Sequence, residues 1–121
     1  MRIIAGEKRS RRLLAPEGMD TRPTADRTKE ALFSILLSRL PGARVLDLYA
    51  GSGALALEAL SRGAAFAVLA DQSPKACRVI RQNIEALDYV GRTKLLSLPD
   101  SAALAALEKA GDSFDLIFLD P

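Results

Sequence analysis

The sequence predicts a doubly wound α/β fold, with helices on both faces of a parallel sheet. Three observations lead there. Short apolar runs alternate with helical patterns from residue 43 to residue 121. The first run enters a helix through the small-residue turn Gly51-Ser52-Gly53. Four aspartates, Asp47, Asp71, Asp100 and Asp120, fall at the ends of the four runs. In sheets of this kind ligands sit beyond the carboxyl ends of the strands, so four acids there point at one mouth.

Each element has its own local reason. Residues Arg2 to Ala15 alternate loosely around Gly6, with Ile3, Ile4, Leu13 and Leu14 as apolar anchors, and read as a short β-hairpin or two extended segments. Pro16, Gly18, Asp20 and Pro23 make an irregular connector. Thr24 is placed to cap the helix that follows, with Asp26 in its first turn. Ala31, Leu32, Ile35, Leu36 and Leu40 recur at helical spacing, and Pro41-Gly42 ends the segment. Ala43 to Tyr49 is the first core strand, and Ala54 to Ser61 a helix that Gly63 terminates. Phe66 to Ala70 is the second strand. Ser73-Pro74, a cap followed by proline, starts a helix running to about Leu87 and burying Ala76, Val79, Ile80, Ile84 and Leu87. Cys77 lies in that helix, where burial is its expected role. Lys94 to Leu98 is the third strand, followed by Asp100 and an alanine-rich helix that Gly111 ends. The run 114–119 is a fourth strand, apolar enough to be buried on both faces. Two units result: residues 1–24 as a basic extension, hairpin and connector, and residues 25–121 as the α/β domain.

Composition narrows the chemistry. With 121 residues, 49% of them hydrophobic, the chain forms one domain or part of one. It contains no histidine and one cysteine, which excludes Ser-His-Asp and Cys-His catalysis, an internal disulfide and a conventional zinc site, so no metal is expected. No apolar run is long enough for a bilayer and no signal-peptide core opens the chain; a cytoplasmic location without membrane attachment is expected. Charge is segregated: ten Lys/Arg face five Asp/Glu through Arg44, and seven face ten from Val45 onward. Lys8, Arg9, Arg11 and Arg12 lie in the basic part, the pattern of a phosphate-facing surface. No aromatic interrupts them, so stacking on single-stranded bases is not indicated.

The glycine turn alone is ambiguous, because Gly51-Ser52-Gly53-Ala54-Leu55-Ala56 also fits a loose dinucleotide fingerprint. Asp47 separates the two readings. A carboxylate before the loop repels a pyrophosphate and suits a cationic amino-acid nucleoside such as S-adenosylmethionine. A nicotinamide dehydrogenase is therefore disfavoured. Asp71 can accept from ribose hydroxyls, and Asp100 is placed for an adenine amino group.

With these residues in view, the chain resembles the bacterial small-subunit ribosomal RNA (guanine-N2-)-methyltransferases. The resemblance rests on Arg2-Ile3-Ile4-Ala5-Gly6 with Arg9, Arg11 and Arg12, and on Thr21-Arg22-Pro23-Thr24-Ala25-Asp26-Arg27. It continues through Glu30-Ala31-Leu32-Phe33, Asp47 to Leu57, Glu58-Ala59-Leu60-Ser61-Arg62-Gly63-Ala64, Asn83-Ile84, and Asp115 to Pro121. It implies a class I, Rossmann-like methyltransferase fold using S-adenosylmethionine. Asp47, Gly51 and Gly53 are assigned to the methionine end, Asp71 to the ribose and Asp100 to the adenine. Tyr49, Ala50, Ser52, Gln72 and Ser101 flank them. Asp120 and Pro121 match the first half of an Asp-Pro-Pro-aromatic catalytic motif, which would accept the two N–H groups of a guanine amine. Arg22 and Thr24 line the substrate entrance by the same resemblance, although capping and a local ion pair account for them equally well.

The chain departs from the pattern at Ser10, often glycine; at Tyr49, often phenylalanine; at Asp71, usually glutamate; and at Ser73, often an acid. The motif is cut after Pro121, so a piece of a longer protein, inactive by itself, is expected. The implied partner is 16S rRNA in the 30S subunit or an assembly intermediate, with a monomeric complete protein. The alternatives are an adenine-N6 DNA methyltransferase and a non-catalytic RNA-binding module of the same fold.

Overall fold

The structure is a computed structural model that describes residues 1–17 and 23–121, without the side chains of 23–25. Its centre is a four-stranded parallel sheet: β1 (Arg44–Asp47), β2 (Phe66–Ala70), β3 (Thr93–Leu96) and β4 (Leu116–Phe118), in spatial order β3-β2-β1-β4. The chain winds outward from β1 to β3 and then returns to place β4 on the other side of β1. The register puts Asp47 opposite Leu69 and Phe118. A crevice opens where the winding reverses, above the carboxyl end of β1.

Alternation along the strands builds two cores. Val45, Ala67 and Leu69 face one side, packing with Phe33 of α1 (Pro23–Leu36), Leu57 and Leu60 of α2 (Ala54–Ser61) and Ile80 and Ile84 of α3 (Pro74–Ala86). Leu46, Leu48, Val68 and Ala70 face the other side, against Ala103 and Leu107 of α4 (Asp100–Ala110). Both faces of the central strands β1 and β2 are thus covered, as a doubly wound sheet requires. Among the described residues no helix is long and apolar enough to cross a membrane.

Most boundaries follow local chemistry. Ser73 Oγ accepts from Ala76 N–H at 3.2 Å with Pro74 at the first helical position, and Gly111 ends α4 at φ 75°. Cys77 is buried, as expected, and its Sγ donates to the Asp71 carbonyl at 3.3 Å.

Three expectations need correction. The first helix begins at Pro23, so Thr24 lies inside its first turn rather than at the flanking cap position. Its buried face is Lys29, Phe33 and, beyond the helix, Leu40, while Ile35 is 78% exposed. Lys29 reaches a buried carboxylate, described below, and this rotates the helix away from its most apolar stripe. The fourth strand is shorter than its apolar run and is not buried on both faces: Phe118 packs into the core while Ile117, pointing to the opposite face, stays 52% exposed.

The N-terminal segment forms the expected hairpin in minimal form. Arg2 and Arg12 make one antiparallel bridge, and Ile3 N–H donates to the Arg11 carbonyl at 2.9 Å. Its anchoring comes from α2. That helix is apolar on all sides, so its one acid, Glu58, is forced inside and is fully buried. Glu58 Oε1 accepts from Ile4 N–H and Lys29 Nζ, at 2.8 and 3.0 Å. Oε2 accepts from Ala5 N–H and Arg62 Nε, at 3.0 and 2.8 Å. Burial pushes this carboxyl up, but the Ile4 N–H, Arg62 and Lys29 outweigh it and hold it below the ordinary glutamate value. One turn on, Ser61 Oγ donates to the Ala5 carbonyl at 2.7 Å and accepts from Lys8 N–H at 2.9 Å. A side chain at Gly6 would strike the Ser61 backbone, its Cβ falling 1.9 Å from the carbonyl oxygen.

Candidate active site

The crevice holds a cavity of about 650 Å³. Asp47, Asp71, Asp100 and Asp120 all line it, so the four strand-end acids do meet at one mouth. Each arrives from a different element: the end of β1, the residue after β2, the first residue of α4 and the segment after β4. Tyr49, Ala50, Gly51, Ser52 and Gln72 also line the cavity, with Pro121 at its rim. Gly53 and Ser101 do not.

Asp47 is the most constrained of the acids. It is 1% exposed, and its Oδ1 is fully enclosed with no hydrogen-bond partner among the described residues. Burial pushes its pKa up to about 7. The Tyr49 N–H opposes that, the charges of Asp120 and Asp71 add to it, and the Ala56 N–H opposes it again. An unpaired carboxylate in such a place is costly, and a cation beside it removes the cost.

The loop after β1 is braced from several sides. Asp71 Oδ2 accepts from Gly51 N–H at 3.0 Å, while its Oδ1 accepts from Ser73 N–H at 2.9 Å. One carboxylate therefore ties the first βα loop to the second and still presents lone pairs to the cavity. Buried Asn83 on α3 donates to the Ser52 carbonyl and the Leu14 carbonyl, both at 2.9 Å, and accepts from Leu14 N–H at 2.8 Å. Tyr49 Oη donates to Asp100 Oδ2 at 2.6 Å across the opposite wall. Gly53 faces inward instead. It caps α2 at φ 85°, and a Cβ there would lie 3.1 Å from Leu69 Cδ2, so packing and backbone conformation both demand glycine.

The basic residues are distributed less uniformly. Arg11 donates to the Ala86 carbonyl at the end of α3, and Lys8 Nζ sits 5.6 Å from the Tyr89 ring centroid. Arg9 and Arg12 are exposed on the hairpin. Arg22 lies outside the described residues, as does the Thr24 side chain. Reading the sequence did not single out Glu58, Ser61 or Asn83 for these anchoring roles. Their signal was present, since each is a polar residue on an otherwise apolar helix face. Among the described residues no group of acids and thiols is arranged to hold a metal.

A family model described as "Conserved hypothetical protein 95" matches residues 1–121, the whole chain. The chain belongs to that family. Relatives of this conserved hypothetical protein 95 member include YlbH of Bacillus subtilis, a candidate rRNA methyltransferase by name, 40% identical over 121 residues. Ribosomal RNA small subunit methyltransferase D of Escherichia coli is 38% identical over 121 residues. The chain spans 66% and 59% of the length of these two relatives. Among solved structures, the Thermus thermophilus hypothetical protein TTHA0928 superposes with a TM-score of 0.88 at 34% identity, covering 100% of this chain and 68% of that one. The Rossmann-like methyltransferase architecture expected from the sequence is the one found.

Proposed function

We propose that this chain is the cofactor-binding front of an S-adenosylmethionine-dependent enzyme that methylates the exocyclic N2 of a guanine in small-subunit ribosomal RNA. The observation that carries the reading is the enclosed, partnerless Oδ1 of Asp47 beneath a cavity lined by three further acids. A nucleoside with a cationic amino-acid tail fits that set of acceptors. Asp47 would hold the ammonium, Asp71 the ribose hydroxyls, and Asp100 the base. Gln72, beside Asp71 on the cavity wall, and Ser101, next to Asp100, would flank the nucleoside. Bound there, the cofactor supplies a methyl made electrophilic by its sulfonium.

The chain's own contribution is positioning and electrostatics. A guanine amine is a weak nucleophile because its lone pair is delocalised into the ring. Asp120 and the carbonyl of Pro121, at the cavity rim, would accept its two N–H groups and aim the lone pair inward. The base has to leave its stack to reach them. Arg9 and Arg12, exposed on the hairpin, supply phosphate contacts that position the RNA, and Lys8, Arg11, Arg22 and Thr24 complete the proposed RNA-facing set. With β4 paired on one side only and Asp120 exposed, these 121 residues by themselves are proposed not to methylate. The partner would be the 30S subunit or its assembly intermediate, met by a monomeric enzyme in the cytoplasm.

The test is methyl transfer by the complete protein to 30S subunits, free 16S rRNA and duplex DNA, with modified nucleosides identified by mass spectrometry. N2-methylguanosine in the RNA is expected. N6-methyladenine in the DNA would replace this reading with its rival, and no methylation with no cofactor binding would leave an RNA-binding module.

A further inference from the structure

The hydrogen bond between Tyr49 and Asp100 joins two loops that are 51 residues apart in sequence, and both residues face the cavity. Asp100 opens α4, and its carboxylate is only partly shielded. A carboxylate in that position, on its own, turns freely between cavity and solvent. Here its two oxygens are separately engaged. Oδ1 accepts from Ser101 N–H at 2.8 Å, and Oδ2 accepts from the Tyr49 hydroxyl at 2.6 Å. Each oxygen keeps lone-pair capacity for one further donor.

The direction of the Tyr49 bond matters more than its length. An ionised carboxylate has no proton to give, so the tyrosine donates its only one. What this pair presents to the cavity is acceptors alone: the free lone pairs of Asp100 and those of the Tyr49 oxygen. The Tyr49 hydroxyl and the Ser101 N–H both hold the Asp100 carboxyl below its ordinary value, and the start of α4 also favours negative charge. The pair therefore stays ionised and offers no donor of its own at neutral pH.

We propose that Tyr49 is a positioning residue that fixes Asp100 as a pure acceptor, so that the cavity selects a nucleoside whose base presents an amino group there over one that presents a carbonyl. The inference rests on the nucleoside-cofactor reading above and adds to it the residue that sets base selectivity. Adenine offers two N–H bonds at that edge, and its deaminated counterpart hypoxanthine offers an oxygen, which meets lone pairs head on. Sites built to pair one polar edge reject the mismatched edge because their own groups lose a partner.

Calorimetry on the complete protein with S-adenosylhomocysteine and S-inosylhomocysteine tests this. Wild type is expected to prefer the adenine compound by about ten-fold, a value set below that of a fully buried pair because the wall is partly solvated. Tyr49→Phe, which removes one oxygen and leaves the ring, should cut the preference to about three-fold or less while circular dichroism shows an unchanged fold. Asp100→Asn should abolish it. In carboxyl-carbon NMR titrations Asp100 of Tyr49→Phe should ionise at higher pH than in wild type. An undiminished preference in Tyr49→Phe, or an unmoved Asp100 titration, overturns the positioning role. Equal binding of the two compounds by wild type overturns base selection but leaves the cofactor site standing. Binding of neither overturns the proposed function itself.

Discussion

Lowering the pH from about 8 to about 5.5 is predicted to weaken S-adenosylhomocysteine binding roughly 30-fold, through Asp47 alone. The enclosed Oδ1 gives Asp47 a pKa pushed up to about 7, first by burial and then by the charges of Asp120 and Asp71. If only the ionised form pairs with the ligand's ammonium, the competent fraction is about 0.9 at pH 8 and about 0.03 at pH 5.5. The ratio corresponds to about 2 kcal/mol. Below its pKa the site must shed a proton to bind. Calorimetry near pH 6 in two buffers of different ionisation enthalpy should therefore report close to one proton released per ligand. Asp47→Asn should lose both the pH dependence and most of the affinity at pH 8. Affinity that stays level across this range, with no proton release, would refute the assignment of Asp47 to the cation. The ligand-free protein should show the opposite trend. In the unfolded chain Asp47 ionises near 3.8, so its contribution to stability falls as pH rises from there towards 7. Its unfavourable share approaches roughly 4 kcal/mol, and Asp47→Asn should flatten that part of the stability profile.

Other perturbations probe the frame around the site. Glu58→Ala strands Lys29 in the core and removes acceptors from Ile4 and Ala5, so equilibrium unfolding in urea should show a loss of about 3–5 kcal/mol. Gly53→Ala meets both a left-handed φ and the Leu69 side chain; a loss of about 1–3 kcal/mol is expected in the same assay. Replacing Arg9 and Arg12 together by Ala should reduce the salt slope of RNA binding by about one for each phosphate that is no longer neutralised, in filter-binding titrations. Cofactor affinity should stay unchanged in that variant.

What could be read from the sequence was whatever depends on neighbours along the chain. The bounds of α2 and β2 were legible because Gly53 and Gly63 punctuate them. The convergence of the four acids followed from topology, since parallel strands deliver all their carboxyl ends to one side. The rotation of α1 was not legible from its apolar stripe. Phe33 rather than Ile35 faces the core because Lys29 must reach Glu58, and that demand comes from a helix 29 residues further on. The Tyr49–Asp100 pairing was hidden for the same reason, each partner being an ordinary loop residue until the sheet brings them together. Gly53 was assigned to the methionine end by resemblance, and the structure adds a packing reason for glycine there, since a Cβ would press on Leu69. Glycine in a turn records only that a side chain is unwelcome, and does not say on which side.

The short α2 meets the cavity-lining loop at one end and the N-terminal hairpin at the other. Its head continues the loop at Gly51-Ser52-Gly53, and its far half grips the hairpin through Glu58 and Ser61, about 6 and about 10 Å along the helix from Ala54 at 1.5 Å per residue. A chimera that grafts a hairpin from another protein onto this sheet must therefore carry the matching underside of the helix with it. Otherwise the graft would disturb a loop that it never touches.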